Sequence, residues 1–149
     1  MSSFLETTID KFTFRVDSTC FFNGEGVWVR VEGNRARLGL SDFLQQRSGD
    51  IAFVEVKPEG TVLVFGDEFS TIETIKVDIS LSSPVTGKVV KVNPSLESTP
   101  ELINQEPFGE GWLCDLELSA WDADKLKLLD AAAYFEKMKV EAAAEVNRK

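Results

Sequence analysis

Six short runs, rich in β-branched and aromatic residues and alternating in part, constrain the fold of this chain more than any other feature. They are FTFRV (12–16), VWVRV (27–31), ARLGL (36–40), IAFVEV (51–56), TVLVF (61–65) and KVVKV (88–92). A period of two sends successive side chains to opposite faces, which is the signature of a strand. Turn formers break the runs at Asn23-Gly24, Gly33-Asn34, Pro58-Glu59-Gly60, Gly66-Asp67 and between Pro84 and Gly87. Many short strands so punctuated favour a closed or sandwich-like β structure over a parallel sheet. A hairpin is expected over 61–81, and a return strand from Trp112 to Leu118, with Cys114 on the inward phase of Trp112, Leu116 and Leu118.

Helical signals are local. Ser41-Asp42 can cap one short helix through Arg47, which Gly49 ends. Thr99-Pro100-Glu101-Leu102-Ile103 offers a cap, a proline at the first helical position and an acid in the first turn. From Asp122 onward, Leu126, Leu129, Tyr134, Phe135, Met138 and Ala142 recur at helical spacing, and Asp130 can cap a second helix after a break. The expected architecture is α+β, mainly β, in one domain over 1–149, with an N-terminal extension over 1–24 and C-terminal helices over 122–149.

Composition narrows the function. The chain has 149 residues, 43% of them hydrophobic, enough to bury a core. Sixteen basic residues against twenty-five acidic ones give a net charge of −9. Nucleic acid and anionic membrane both reward basic patches, so neither is an expected partner. The start, MSSFLETTIDKF, shows no basic segment followed by an apolar one, and no run approaches bilayer-spanning length. Two cysteines, Cys20 and Cys114, are too few for a disulfide framework, so the expected setting is the reducing cytoplasm. The chain has no histidine, the commonest general base and metal ligand. Neither a metal centre nor an enzyme with turnover of its own is expected.

One lysine stands out. In Glu73-Thr74-Ile75-Lys76-Val77, Lys76 lies between two β-rich segments, flanked by Ile75 and Val77, with Glu73 three positions before it. At the tip of a hairpin its amine would be open to a modifying enzyme; read locally, it can equally be an ordinary solvated turn lysine. Glu-Thr-Ile-Lys-Val resembles the lipoyl-lysine signature, and Ser82-Ser83-Pro84-Val85-Thr86-Gly87 follows where lipoyl domains carry a Ser-Pro-Val-x-Gly turn. Biotin carriers share the hairpin but flank the lysine with methionines, and neither neighbour here is Met.

The resemblance extends to the H protein of the glycine cleavage system. It runs through 27–33 (VWVRVEG), 49–56 (GDIAFVEV), 92–97 (VNPSLE), 100–104 (PELIN), 107–113 (PFGEGWL), Leu128 to Ala131 and Tyr134, in order over roughly 25–135. The resemblance implies a lipoyl-domain-like barrel-sandwich hybrid with a surface lysine hairpin. It implies lipoate held covalently on Lys76, with Glu73, Thr74, Ile75 and Val77 as the attachment motif. The implied partners are a lipoate-attaching enzyme and dihydrolipoamide dehydrogenase.

Several positions depart from the H-protein pattern. Glu25-Gly26-Val27-Trp28 replaces a stretch close to Ser/Lys-His-Glu-Trp; Phe43 replaces a histidine; Ser80 replaces an acid four residues past the lysine. In H proteins polar side chains shelter the aminomethyl-loaded arm, and Val27 and Phe43 supply no acceptor for such a cation. A second group fits these departures: the H-protein-like lipoate-binding proteins of heterodisulfide-reductase-like sulfur oxidation. The Phe-rich N-terminus, the lack of histidine and the Tyr134-Phe135-x-x-Met138-Lys139-x-Glu141-Ala142 tail resemble that group. The expectation is then a carrier of sulfur-containing intermediates that meets a heterodisulfide-reductase-like complex. The alternatives are a glycine cleavage H protein carrying an aminomethyl group and a non-lipoylated interaction protein of the same fold. Cys114 reads as a buried thiol. Cys20, in Ser18-Thr19-Cys20-Phe21-Phe22, reads as a packed thiol or an auxiliary one near the arm.

Overall fold

The computed structural model describes residues 3–147. The chain opens with a hairpin, β1 (Phe4–Ile9) and β2 (Phe12–Asp17), that forms a two-stranded sheet of its own. Then come β3 (Phe21–Phe22), β4 (Val27–Glu32), β5 (Arg35–Leu40), α1 (Asp42–Ser48), β6 (Ile51–Val56) and β7 (Val62–Leu63). The lysine region lies between β8 (Glu68–Thr74) and β9 (Asp78–Ser82), followed by β10 (Gly87–Val92), α2 (Leu102–Gln105) and β11 (Cys114–Leu118). The chain closes with α3 (Trp121–Asp124), β12 (Leu129–Asp130) and α4 (Ala131–Asn147).

A seven-stranded sheet runs in the order β12-β3-β4-β5-β11-β10-β7, and a three-stranded sheet in the order β6-β8-β9; every pairing is antiparallel. Val27, Val29, Leu38 and Leu116 of the larger sheet and Ile51, Phe69, Ile72 and Leu81 of the smaller share one apolar core. A second core, largely aromatic, lies on the other side of β4. There Trp28, Phe22, Phe14, Phe43, Phe108, Tyr134 and Met138 pack together. Strand β4 therefore buries alternate residues in two different cores, so Val27, Trp28 and Val29 are all fully enclosed. Each such side chain contributes about 1.5–3 kcal/mol by leaving water.

Gly39 makes this arrangement possible. Gly39 pairs with Trp28 across the strands, and a Cβ there would fall 2.5 Å from the indole ring. The indole Nε1 donates to the carbonyl of Pro107 at 2.9 Å. Tyr134 stacks on Phe22 with ring centroids 4.2 Å apart and bonds the Ser41 hydroxyl at 2.8 Å, which holds α4 against the start of α1.

The mainly β, α+β architecture, with two sheets folded around one core, is the expected one. Several local expectations need correcting. The hairpin partner β1 was not expected, because FLETTI is only half-buried and its alternation is weak. The run over 61–65 yields only the two residues of β7, since Val64 and Phe65 turn aside: the Val64 amide bonds the Asp67 carboxylate and the Phe65 amide the Thr86 hydroxyl. Pro100 does not open α2. The helix begins at Leu102, whose amide takes the Thr99 carbonyl, and Glu101 gives no side-chain cap.

The region 122–149 is not purely helical. A 3-10 turn over Lys125–Lys127 leaves Leu126 86% exposed, and Leu129 enters β12 beside Phe22. Asp130 does cap α4, accepting from the Ala133 amide at 2.8 Å. The buried stripe of α4 is Ala131, Tyr134, Met138 and Ala142. Cys114 and Leu116 face the central core, whereas Trp112, ahead of β11, packs in the aromatic core beneath Arg37. The two therefore do not share a face.

Candidate functional site

Strands β8 and β9 meet in register, Glu73 opposite Asp78, and leave Thr74, Ile75, Lys76 and Val77 beyond the last pair. Thr74 closes this tip. Its hydroxyl accepts from the Lys76 amide at 3.1 Å and the Val77 amide at 2.9 Å, and donates to the Val77 carbonyl at 2.9 Å. The Thr74 amide also reaches the Val77 carbonyl at 2.9 Å. A local side-chain to backbone network of this kind fixes a turn that has no glycine. Ile75 is 83% exposed and Val77 46%, so the lysine is carried in solvent between two small apolar flanks.

The base of the hairpin is anchored. Ser82, the last residue of β9, gives its amide and its hydroxyl to the two oxygens of Glu25, at 3.0 and 2.9 Å. Its carbonyl accepts from Asn23 Nδ2 at 3.0 Å.

Lys76 folds toward α1. Its Nζ donates to the Arg47 carbonyl at 3.1 Å, in the last turn of that helix. Gly49 follows with a left-handed φ of +88°, and a Cβ placed there would sit 3.1 Å from Lys76 Cε. The glycine that ends α1 thus also makes room for the lysine stem. Sequence reasoning assigned Gly49 only the first of these roles, and it gave Thr74 no role beyond membership of the motif. An Asx- or Thr-type turn preceding the lysine was the signal that could have found it.

Glu73 and Asp78 face each other across the hairpin with Phe53 on the neighbouring strand, and neither acid forms an ion pair among the described residues. Like charges directly opposite are mildly unfavourable in a sheet. They make the hairpin face beside Lys76 acidic.

The departures from the H-protein pattern fall in different places. Val27 is wholly enclosed, and Phe43 is buried edge-on against Phe14 with ring centroids 5.5 Å apart. Ser80 is exposed and donates to Glu68 across the hairpin. Cys20 is not gathered into the site. It packs in the aromatic core, 2% exposed, and burial pushes its thiol up to about 12 despite the nearby Arg30 guanidinium. Cys114 is fully enclosed, and burial raises its thiol as well.

Among the described residues, no group of His, Cys, Asp or Glu side chains could hold a metal ion, and no helix is long and apolar enough to cross a membrane.

Two sheets around one core, with a single lysine stapled at the tip of a surface hairpin, define a barrel-sandwich carrier of the lipoyl-domain type. The comparisons agree on the family. The sequence profile of the glycine cleavage H-proteins matches residues 20–141. A glycine cleavage system H protein of Symbiobacterium thermophilum is 48% identical over 113 residues, 76% of this chain and 88% of the relative. One of Bacteroides fragilis is 45% identical over 113 residues, 76% of this chain and 89% of the relative. The crystal structure of a glycine cleavage system H protein from Mycobacterium marinum shares the fold, with a TM-score of 0.73 at 24% identity, over 80% of this chain and 96% of that one. The chain belongs to the glycine cleavage H-protein family. Members of that family carry lipoate covalently on a lysine and have no catalytic activity of their own.

Proposed function

We propose that Lys76 is the lipoyl attachment site and that the fold serves to present the loaded lysine to partner enzymes in turn. The observation that carries this reading is the stapled tip, which holds one primary amine in solvent at a fixed place. The site fits the group. The amine is accessible, Gly49 leaves space beside its stem, and an amide formed there keeps an N–H able to bond the Arg47 carbonyl. Glu73, Thr74, Ile75 and Val77 form the surface that a lipoate-attaching enzyme would read, with Glu73 and Asp78 giving it negative charge. When bound, a lipoyl group supplies a dithiolane that exchanges electrons and a carried fragment. The protein supplies the tether, which converts encounters between partners into events at high effective concentration.

The names of the relatives favour glycine cleavage as the setting, with an aminomethyl fragment as the cargo and dihydrolipoamide dehydrogenase as one of the partners. A specific observation supports a second reading. Phe43 and Val27 stand where acceptors for a cationic cargo would be expected, and both are buried apolar residues. That chemistry suits the sulfur-carrying role expected above, with a heterodisulfide-reductase-like complex as partner.

The test is intact mass of the protein from its native host, with peptide mapping around Lys76. One lipoyl increment on Lys76 supports the carrier, and an unmodified Lys76 in cells containing lipoate overturns it. Loading assays with the glycine cleavage enzymes then separate the two settings: transfer of an aminomethyl group supports the first, and additional sulfur on the arm the second.

A further inference from the structure

Strand β6 forms one edge of the three-stranded sheet that carries the lysine hairpin. The Lys57 amide bonds the Phe69 carbonyl, and Glu55 lies opposite Thr71 in the same register. Main-chain groups in an antiparallel pair turn alternately toward and away from the partner, so those of Val54 and Val56 point away from β8. Among the described residues none pairs with them. Exposed edges are usually blunted by lysine, proline or a bulge. Here the bulge falls between Ile51 and Phe53, and Pro58 lies beyond the strand, which leaves 53–56 as plain edge.

A groove of about 490 Å³ runs along this edge. Its other wall is Val92 of β10, the 3-10 turn Pro94–Leu96 and Pro100. Val92 has a strand neighbour on one side only, since β7 stops opposite Gly87 and Lys88. Phe53 lines the groove with 52% of its surface exposed. Glu55 and Glu97 supply its charge, and neither forms an ion pair among the described residues. No lysine or arginine lines it.

We propose that this edge docks an extended segment of a partner protein, which adds a strand to β6. The pleat dictates the pattern of that segment. Val54, Val56 and Leu96 all pack on the central core, so residues opposite the two valines fall on the inner side and are apolar. The residue opposite Glu55 falls on the outer side with Phe53, where lysine or arginine is the complement. A second copy of this chain would set Glu55 and Glu97 against their own equivalents on a molecule of net charge −9. Charge therefore selects a basic partner over self-association. Val54 lies opposite Ile72, four residues before Lys76, so the added strand crosses about 13 Å from the lysine along the hairpin. Lys76 and its neighbours do not line the groove. The partner is held at the flank of the hairpin while the amine stays open to another enzyme, whatever Lys76 carries.

The test follows the isotope-labelled full chain by NMR as a short synthetic peptide alternating valine and lysine is added. Expected are shifts and slowed hydrogen exchange at the Val54 and Val56 amides, with cross-strand Overhauser contacts to the peptide. The Lys76 and Val77 amides stay where they were. A peptide alternating valine and glutamate should bind about tenfold more weakly. Glu55→Lys, at an exposed position, should reverse that preference. Val54→Pro removes an N–H that β8 does not use, a change an edge strand tolerates, and should weaken binding of the lysine peptide about tenfold with the circular dichroism unchanged. No shifts with the lysine peptide, or shifts confined to the hairpin tip, overturn the proposal. Concentration-dependent dimerisation through the same amides without peptide also overturns it, by making a second copy the occupant.

Discussion

The Nζ of Lys76 donates to the main-chain carbonyl of Arg47 at 3.1 Å, which rests the amine on the C-terminal end of α1. Carbonyls in that last turn have no intrahelical partner and carry partial negative charge, so a cation there gains about 0.3–1 kcal/mol. Lys76→Arg keeps the charge but offers no amine for acylation. The expected result is complete loss of the lipoyl mass increment, with stability within about 0.5 kcal/mol of the parent by urea unfolding. A Lys76→Arg chain that still gains one lipoyl group would move the attachment point elsewhere.

Thr74→Val removes the hydroxyl that closes the tip while keeping the β-branched shape. Two amides lose their partner and the Val77 carbonyl keeps only the Thr74 amide, in a half-exposed turn where water replaces part of the loss. The expected destabilisation is about 1 kcal/mol. The rate of lipoylation should fall as well, because the lysine is no longer held in one place. Thr74→Ser should restore both quantities, measured by urea unfolding and by mass-detected lipoylation kinetics.

Gly39→Ala tests the two-core design of β4. The added methyl would lie 2.5 Å from the ring of Trp28, which is enclosed on all sides and bonded to Pro107. Overpacking of this kind costs about 1–3 kcal/mol. Thermal unfolding should show the drop, and tryptophan fluorescence should shift as the indole is displaced.

Alkaline pH probes the aromatic core. Burial raises Cys20 from 9.0 and Tyr134 from 10.0, each to about 12. Both groups stay protonated in the folded chain at pH values where the unfolded chain has already lost the proton. Their contribution is complete below pH 9 and is lost between about pH 9 and 12, so unfolding becomes easier as pH rises through that window. Urea midpoints taken across it should fall. At pH 8 Cys20 should react with a thiol reagent only after the chain unfolds.

Short runs rich in β-branched and aromatic residues, broken by turn formers, made the sheets legible; the reading failed at 61–65, where Asp67 and Thr86 draw the amides away from a ladder. The short helix α1 was readable from Ser41 and Gly49, since caps are local chemistry. The tail was misread at Leu126 and Leu129, whose spacing imitates a helix across what is a 3-10 turn and a two-residue strand. Lys76 was visible through its motif. What the motif could not convey was tertiary: the Arg47 carbonyl under the amine, and the meeting of Phe12, Phe14 and Val146 beside it, join residues far apart in sequence.

Ser82 has one further consequence. With its amide, hydroxyl and carbonyl all held by Glu25 and Asn23, the lysine hairpin is a cantilever clamped at its root. A partner that pushes on the tip turns the whole molecule, and the bearing of the lysine relative to the larger sheet stays constant from one encounter to the next. Reach must then come from the rotatable bonds beyond the backbone of Lys76, so successive partners differ in where they stand around a fixed mast.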